Sequence, residues 1–168
     1  MSSKHKNLSS FEGSPVPNAK KYRFGIVTSE WNHEITNALR EGAVKTLLKN
    51  GAKKENIISR HVPGSCELTL GAQYMAAFTN VDAVICLGCV IQGETRHFDF
   101  ICDAVAQGIT QLNMKYNMPV IFGVLTPNNK QQAIDRAGGK HGNKGDEAAV
   151  TAIKMLALRD SFKGKKSK

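Results

Sequence analysis

The sequence predicts an α/β three-layer sandwich: a four-stranded parallel sheet with helices on both faces, preceded by an N-terminal arm. Three observations carry this. Ala83 to Ile91 is an apolar run interrupted only by Gly88, with the β-branched content of a strand buried on both faces. Directly after it, Phe98, Ile101, Cys102, Val105 and Ile109 recur at three- and four-residue steps, the spacing of one helical stripe. Finally, strand-like and helix-like segments alternate along the whole chain. Alternation of this kind implies parallel pairing through right-handed crossovers.

Residues 1–21 are rich in Ser, Lys and Asn and contain Pro15 and Pro17, the composition of an extended or disordered arm. Phe24 to Ser29 reads as a strand, Glu30 to His33 as a turn, and a helix follows to about Asn50. The inner face of that helix is expected to be Ile35, Leu39, Ala43, Leu47 and Leu48, with Gly51 as its stop. Asn56 to Val62 is a second strand. Pro63-Gly-Ser65 breaks it, and a helix runs from about Cys66 to Phe78. The central strand and helix come next. Met118 to Leu125 is a fourth strand, with Pro119 near its start, where a ladder donor is least missed. Lys130 to Arg136 forms a short helix, Ala137 to Gly145 a flexible linker, and Asp146 to Leu158 a final Ala-rich helix. Residues 22–160 then form a single domain, and residues 161–168 a basic tail.

The 168 residues are 41% hydrophobic and 22% charged, ordinary for one soluble globular domain. The formal net charge of +9 invites a nucleic-acid reading, but its distribution argues against one. Residues 1–22 carry +3 and residues 159–168 carry +4, leaving +2 on the body. Charge in tails does not build a groove-reading face. No secretory leader and no run near the ~20 apolar residues of a membrane span is present, so a cytoplasmic protein with no membrane or nucleic-acid partner is expected. Cys86 and Cys89 have a metal-like spacing. In a strand, however, residues three apart point to opposite faces, so no metal site is expected.

All four strand-to-helix turns of such a sheet open on one edge, where α/β proteins place ligands. Those turns carry Trp31, Ser65 to Glu67, the stretch Gln92 to His97, and Thr126 to Asn129. Trp31 is either a packing aromatic or a stacking surface for a planar ligand. His97, near a helix start, is either a surface residue or a proton-transfer group. Glu67 could favour a helix start electrostatically or accept from ligand hydroxyls. Arg136 and Lys144 flank the Gly-rich segment, as solvated charges or as a phosphate site. His33 and His61 read as surface or supporting residues. Exposed amides at the helix start before His97 favour an anion. No dinucleotide or P-loop glycine spacing occurs.

Taken in order, Trp31-Asn32, Val62-Pro-Gly-Ser-Cys-Glu-Leu68, Leu87-Gly-Cys-Val-Ile-Gln-Gly-Glu-Thr-Arg-His-Phe-Asp99, Pro119-Val-Ile-Phe-Gly123, Gln132-Ala-Ile-Asp-Arg-Ala-Gly138 and Gly142-Asn-Lys-Gly145 resemble the lumazine synthase family of riboflavin biosynthesis. The resemblance spans about Phe24 to Phe162. It implies a flavodoxin-like fold and a transferase that condenses 5-amino-6-(D-ribitylamino)uracil with 3,4-dihydroxy-2-butanone 4-phosphate, with no metal or organic cofactor. By the same resemblance, the pyrimidine lies against Trp31. Ser65, Cys66, Glu67, Cys89, Val90 and Ile91 hold the uracil and ribityl groups, and Phe122 covers the other ring face from a neighbouring subunit. Glu94, Thr95 and Arg136 take the phosphate, Lys144 supports them, and His97 donates and shuttles the proton.

Two residues depart from the family pattern. Glu94 puts a carboxylate where a small residue is common; its amide is expected to bind while its side chain turns out toward Arg96. Cys89 replaces a common threonine, leaving its backbone to serve the uracil edge. The resemblance further implies a homo-pentamer. The short Gly138-to-Gly145 segment favours a 60-subunit icosahedral shell, with riboflavin synthase as a partner and residues 1–21 adding a strand to a neighbour or lining the shell. Two other readings are open to test. A flavodoxin-like module that binds a flavin or phosphate without turnover would use the same sheet edge. A nucleic-acid binder working through the basic tails would lose salt-dependent binding when the tails are removed.

Overall fold

The computed structural model describes residues 15–163. Most of the expected arm and the last five residues of the basic tail lie outside them. The elements are β1 (Phe24–Ser29), α1 (His33–Lys49), a 3-10 turn (Lys54–Asn56), β2 (Ile57–Val62), α2 (Leu68–Phe78), β3 (Ala83–Cys89), α3 (His97–Tyr116), β4 (Val120–Leu125), α4 (Lys130–Asp135), β5 (Ala137–Gly139), β6 (Gly142–Asn143) and α5 (Lys144–Lys163).

The four long strands form one sheet in the order β2-β1-β3-β4, and every pairing is parallel. Every residue of β1 and β3 is buried, as the unbroken apolar run in β3 predicts. Side chains alternate across the pleat and feed two cores. Phe24, Ile26, Ile85, Leu87 and Ile121 meet Leu39, Leu47, Ala149 and Ile153 of α1 and α5. On the other face Val27, Val84, Cys86 and Val120 meet Leu68, Met75, Val105 and Ile109 of α2 and α3. The outcome is the expected three-layer α/β sandwich. Fully buried leucines such as Leu39 and Leu47 each contribute about 1.5–3 kcal/mol of burial energy.

Cys86 and Cys89 fall in opposite cores, as strand alternation requires. Burial pushes the Cys86 thiol up to about 12 and the Cys89 thiol to about 11, so both stay protonated and unreactive near neutral pH.

The structure corrects several boundaries. Leu48 is exposed at 40%: it lies one step off the stripe, and Leu47 takes the inward place. Helix α2 starts at Leu68 rather than Cys66, which leaves Ser65 to Glu67 in the turn. Strand β3 ends at Cys89 and β4 starts at Val120, and α4 ends before Arg136. The expected linker is an antiparallel hairpin, β5 with β6. Gly138 and Gly142 supply its positive φ values, 109° and 84°, which other residues adopt only with strain. Helix α5 then begins at Lys144, two residues early, and runs five beyond Leu158.

The described part of the arm is tied down. The Ala19 amide donates to the Asn50 carbonyl at 2.8 Å, and Ala19 and Tyr22 are buried. The Tyr22 hydroxyl donates to Asp160 at 2.9 Å. Asp160 also pairs with Lys21 at 2.6 Å.

Candidate active site at the sheet edge

The β1–α1 turn is bound on both sides. Glu30 and Trp31 donate their amides to the Val62 and Pro63 carbonyls at 2.8 and 3.3 Å. Asn32 Nδ2 donates to the Cys89 carbonyl at 2.9 Å. The three turns after β1, β2 and β3 are therefore one connected surface. The turn after β3 reaches the fourth through Gln92, whose amide donates to the Pro127 carbonyl at 2.9 Å.

Trp31 is 74% exposed. A ring that size left in water gives up burial energy a packing aromatic would collect. Its Cδ1 lies 3.6 Å from where a side chain on Gly64 would begin, so the indole rests beside the Pro63-Gly64 break. Glu67 folds back over the same glycine, its Oε2 2.9 Å from that point. Glu67 forms no side-chain cap on α2, which leaves its carboxylate available on the exposed side.

Ser65 is buried and Cys66 is exposed. Ser65 Oγ sits 2.8 Å from where a Cβ on Gly88 would stand, with Ser29 Oγ at 3.4 Å. The missing side chain at Gly88 thus makes room for Ser65 under the turn. The Ser29 hydroxyl is buried without a partner at the end of β1. Cys89 is buried, while Val90 and Ile91 are half-buried beyond the strand end. The Val90 amide is held by the Leu125 carbonyl at 2.8 Å.

Residues 92–97 are exposed throughout. His97 opens α3, its amide facing Thr95 Oγ1 at 3.4 Å. Arg96 at the helix cap makes no side-chain cap bond. Thr95 thus takes the first amide of α3, and the Asp99 and Phe100 amides turn to the Arg96 carbonyl at 3.1 and 3.4 Å; the positive end of the helix dipole still favours an anion beside this exposed turn. Glu94 is exposed, as expected, but not paired with Arg96. Arg96 lies 3.6 Å from Asp99 and stacks over Phe100, because one helical turn places those residues beside it. The two remaining turn-edge histidines, His33 and His61, are exposed.

Phe122, Arg136 and Lys144 gather elsewhere. Phe122 is half-buried on β4, paired in register with Cys86 well before the strand's end. Arg136 donates from Nη1 to the His141 carbonyl at 2.7 Å, and its Nη2 is 2.7 Å from Glu147 Oε1. The angle there falls short of a hydrogen bond, but charge attraction at that separation does not need linearity. Lys144 Nζ donates to the other Glu147 oxygen at 3.2 Å. Phe122, Lys144 and Glu147 line one depression on the open edge of β4. Among the described residues no hydrogen bond or ion pair joins Arg136 or Lys144 to Glu94, Thr95 or His97. The turn residues and the Phe122–Arg136–Lys144 group are thus two separate clusters.

Three residues of this arrangement are absent from the sequence-based set. Glu147 holds both cations; its spacing of three from Lys144 in a helix was the available signal. Asn32 ties β1 to β3, and Ser29 lies under the turn; nothing local marks either. A second apolar depression, lined by Met118, Met155, Leu158 and Phe162, sits at the opposite sheet edge from the turns. Among the described residues no group of three His, Cys, Asp or Glu is arranged to hold a metal ion, and no helix is long and apolar enough to cross a membrane.

The sequence pattern of the family described as 6,7-dimethyl-8-ribityllumazine synthase matches residues 21–160. A protein of that name from Cytophaga hutchinsonii is 68% identical over 157 residues, 94% of this chain and 98% of the relative. One from Phocaeicola vulgatus is 54% identical over 162 residues, 96% of each chain. One from Parabacteroides distasonis is 55% identical over 156 residues, 93% of this chain and 98% of the relative.

Proposed function

This chain belongs to the 6,7-dimethyl-8-ribityllumazine synthase family, a family of transferases, and we propose that it works through a site divided between two neighbouring subunits. The reaction that goes with the family name joins 5-amino-6-(D-ribitylamino)uracil to 3,4-dihydroxy-2-butanone 4-phosphate. It yields the lumazine, phosphate and water in the penultimate step of riboflavin biosynthesis.

The observation that carries the site assignment is the joining of the Trp31, Ser65–Glu67 and Cys89–His97 turns at one sheet edge. Trp31 offers an exposed flat face for the pyrimidine ring. Ser65, Cys66 and Glu67, with Cys89, Val90 and Ile91 opposite, bound the uracil and ribityl groups. The protonated thiol of Cys89 is no nucleophile, which leaves its backbone as the contributing group. The amides of Glu94 and Thr95, at the start of α3, take the phosphate.

Chemistry follows from placement. The uracil amine attacks the ketone, and loss of water gives an imine. The carbon–oxygen bond to phosphate then breaks, and phosphate leaves into the amide cradle that already holds it. Ring closure expels the second water. His97, exposed beside the cradle, gives a proton to the departing oxygen and recovers one from the carbon chain. Aligning two substrates supplies up to about 7–11 kcal/mol in favourable cases. A positioned acid–base adds roughly 10²–10⁴-fold.

Phe122, Arg136 and Lys144 complete the pocket from an adjacent copy, covering the ring and adding positive charge at the phosphate. Support for this is the depression at the open edge of β4 that Phe122 and Lys144 line with Glu147, the carboxylate that also holds Arg136. The assembly we propose is a pentamer, twelve of which form a hollow shell, in the cytoplasm and with riboflavin synthase as a partner. Purified protein mixed with both substrates is expected to release the fluorescent lumazine. A protein that instead retains a flavin and turns nothing over would replace this reading with the binding-module one. Light scattering would separate a 60-subunit particle from a lone pentamer.

A further inference from the structure

Asn32 holds a left-handed backbone, φ 57° and ψ 44°. Only one other non-glycine residue among those described has positive φ, Asn117. Asn32 directly precedes α1, where an asparagine ordinarily accepts from the first-turn amides with its side chain. It makes no such cap. Its carbonyl accepts from the Ile35 and Thr36 amides at 2.8 and 3.0 Å, and its side-chain amide is turned across the sheet to the Cys89 carbonyl at 2.9 Å. The residue thus forgoes both a local cap and the ordinary backbone basin, each of which stabilises a helix start.

What it gains is a bond beyond the end of a ladder. Pairing between β1 and β3 stops at Thr28 with Leu87. Past that point the two chains part, and Asn32 is the side chain that rejoins them. Trp31 is then fixed on one side by the Pro63 carbonyl and on the other by its bonded neighbour. Asn32 is half-buried while Trp31 stands out in solvent, so the tether is more sheltered than the ring beside it in sequence.

We propose that Asn32 is a positioning residue for the aminouracil half of the reaction: its left-handed backbone and its bond to Cys89 set the gap between the Trp31 ring and the Cys89–Ile91 segment. The inference rests on the reading of this turn edge as the aminouracil site. Asn32 stacks on nothing and moves no proton.

Two variants separate the contributions. Asn32→Gly keeps the left-handed backbone accessible and removes the side-chain amide. Asn32→Asp keeps size and tolerance of the backbone but faces a carboxylate toward a carbonyl. Trp31 is the chain's one tryptophan, so its fluorescence anisotropy reports the turn without any turnover. For Asn32→Gly the KM for the aminouracil is expected to rise about five- to tenfold, the loss of one hydrogen bond. The KM for the butanone phosphate and kcat should stay unchanged, and Trp31 anisotropy should fall. Asn32→Asp should do worse on the same two readouts. Wild-type anisotropy together with a wild-type KM in Asn32→Gly would overturn the proposal. So would an equal rise in both KM values accompanied by a lower melting temperature, which marks a structural role alone. A wild-type protein that forms no lumazine would sink the site reading instead, and anisotropy would still judge the tether.

Discussion

Arg136 Nη2 lies 2.7 Å from Glu147 Oε1, with the two side chains only 19% and 16% exposed. Lys144 reaches the other oxygen of the same carboxylate. A carboxylate that secures two cations leaves one net positive charge, held in place by the fold. The guanidinium keeps further donors in a fixed plane, which suits bidentate contact with phosphate.

Arg136→Ala should therefore raise the KM for the butanone phosphate at least tenfold, as loss of a charge-assisted hydrogen bond does, with a much smaller change for the aminouracil. Steady-state kinetics with each substrate varied in turn checks this. Equal losses for both would point to a damaged hairpin.

His97→Ala should slow turnover by about one to three powers of ten and leave the assembly state unaltered, because the imidazole is exposed and belongs to neither hydrophobic core. Product fluorescence gives the rate and light scattering the size. Wild-type turnover would remove His97 from the proton path.

Gly88→Ala should destabilise the fold by about 1–3 kcal/mol, the usual cost of overpacking. Its new methyl group would stand 2.8 Å from both Ser65 Oγ and Leu68 Cδ1. The aminouracil KM should rise with it as Ser65 is displaced. Gly93→Ala serves as the control, since no atom lies within 4 Å of its Cβ position. Thermal unfolding of the two variants side by side decides the matter.

Asp160 links the arm to α5. Hydrogen bonding from Lys21 first, then from Tyr22, holds its carboxyl down to about 2. A depressed carboxyl stabilises the folded chain above its unfolded value of about 3.9. That contribution fades as pH falls from about 4 toward 2. Asp160→Asn should flatten the acid limb of stability across that window, read as melting temperature against pH. A slope matching the wild type there would remove Asp160 from acid sensitivity.

The sheet was legible because β1 and β3 are buried on both faces, so burial and composition agree. Cys86 and Cys89 were resolved by alternation alone. The hairpin was not legible. A run of glycines reads as linker, whereas here the His141 amide donates to the Asp135 carbonyl and the Lys144 amide to the Arg136 carbonyl, each at 2.9 Å, to close it. Glu147 was missed for the same reason, since nothing local brings Arg136 onto α5. Leu48 was misplaced because a helical stripe fixes faces only to within a residue. Within the site, the turns could be placed from strand order. The tether from Asn32 to Cys89 spans 57 residues and leaves no periodic trace.

The parting of Arg136 from His97 has a genetic consequence. In the ring proposed above, head-to-tail contacts join unlike surfaces at every junction, so each junction would draw its imidazole and its guanidinium from different subunits. Two crippled alleles, His97→Ala and Arg136→Ala, should complement one another when co-expressed. Random co-assembly in equal amounts restores about a quarter of the junctions, whereas blending the pure assembled proteins restores none until subunits exchange.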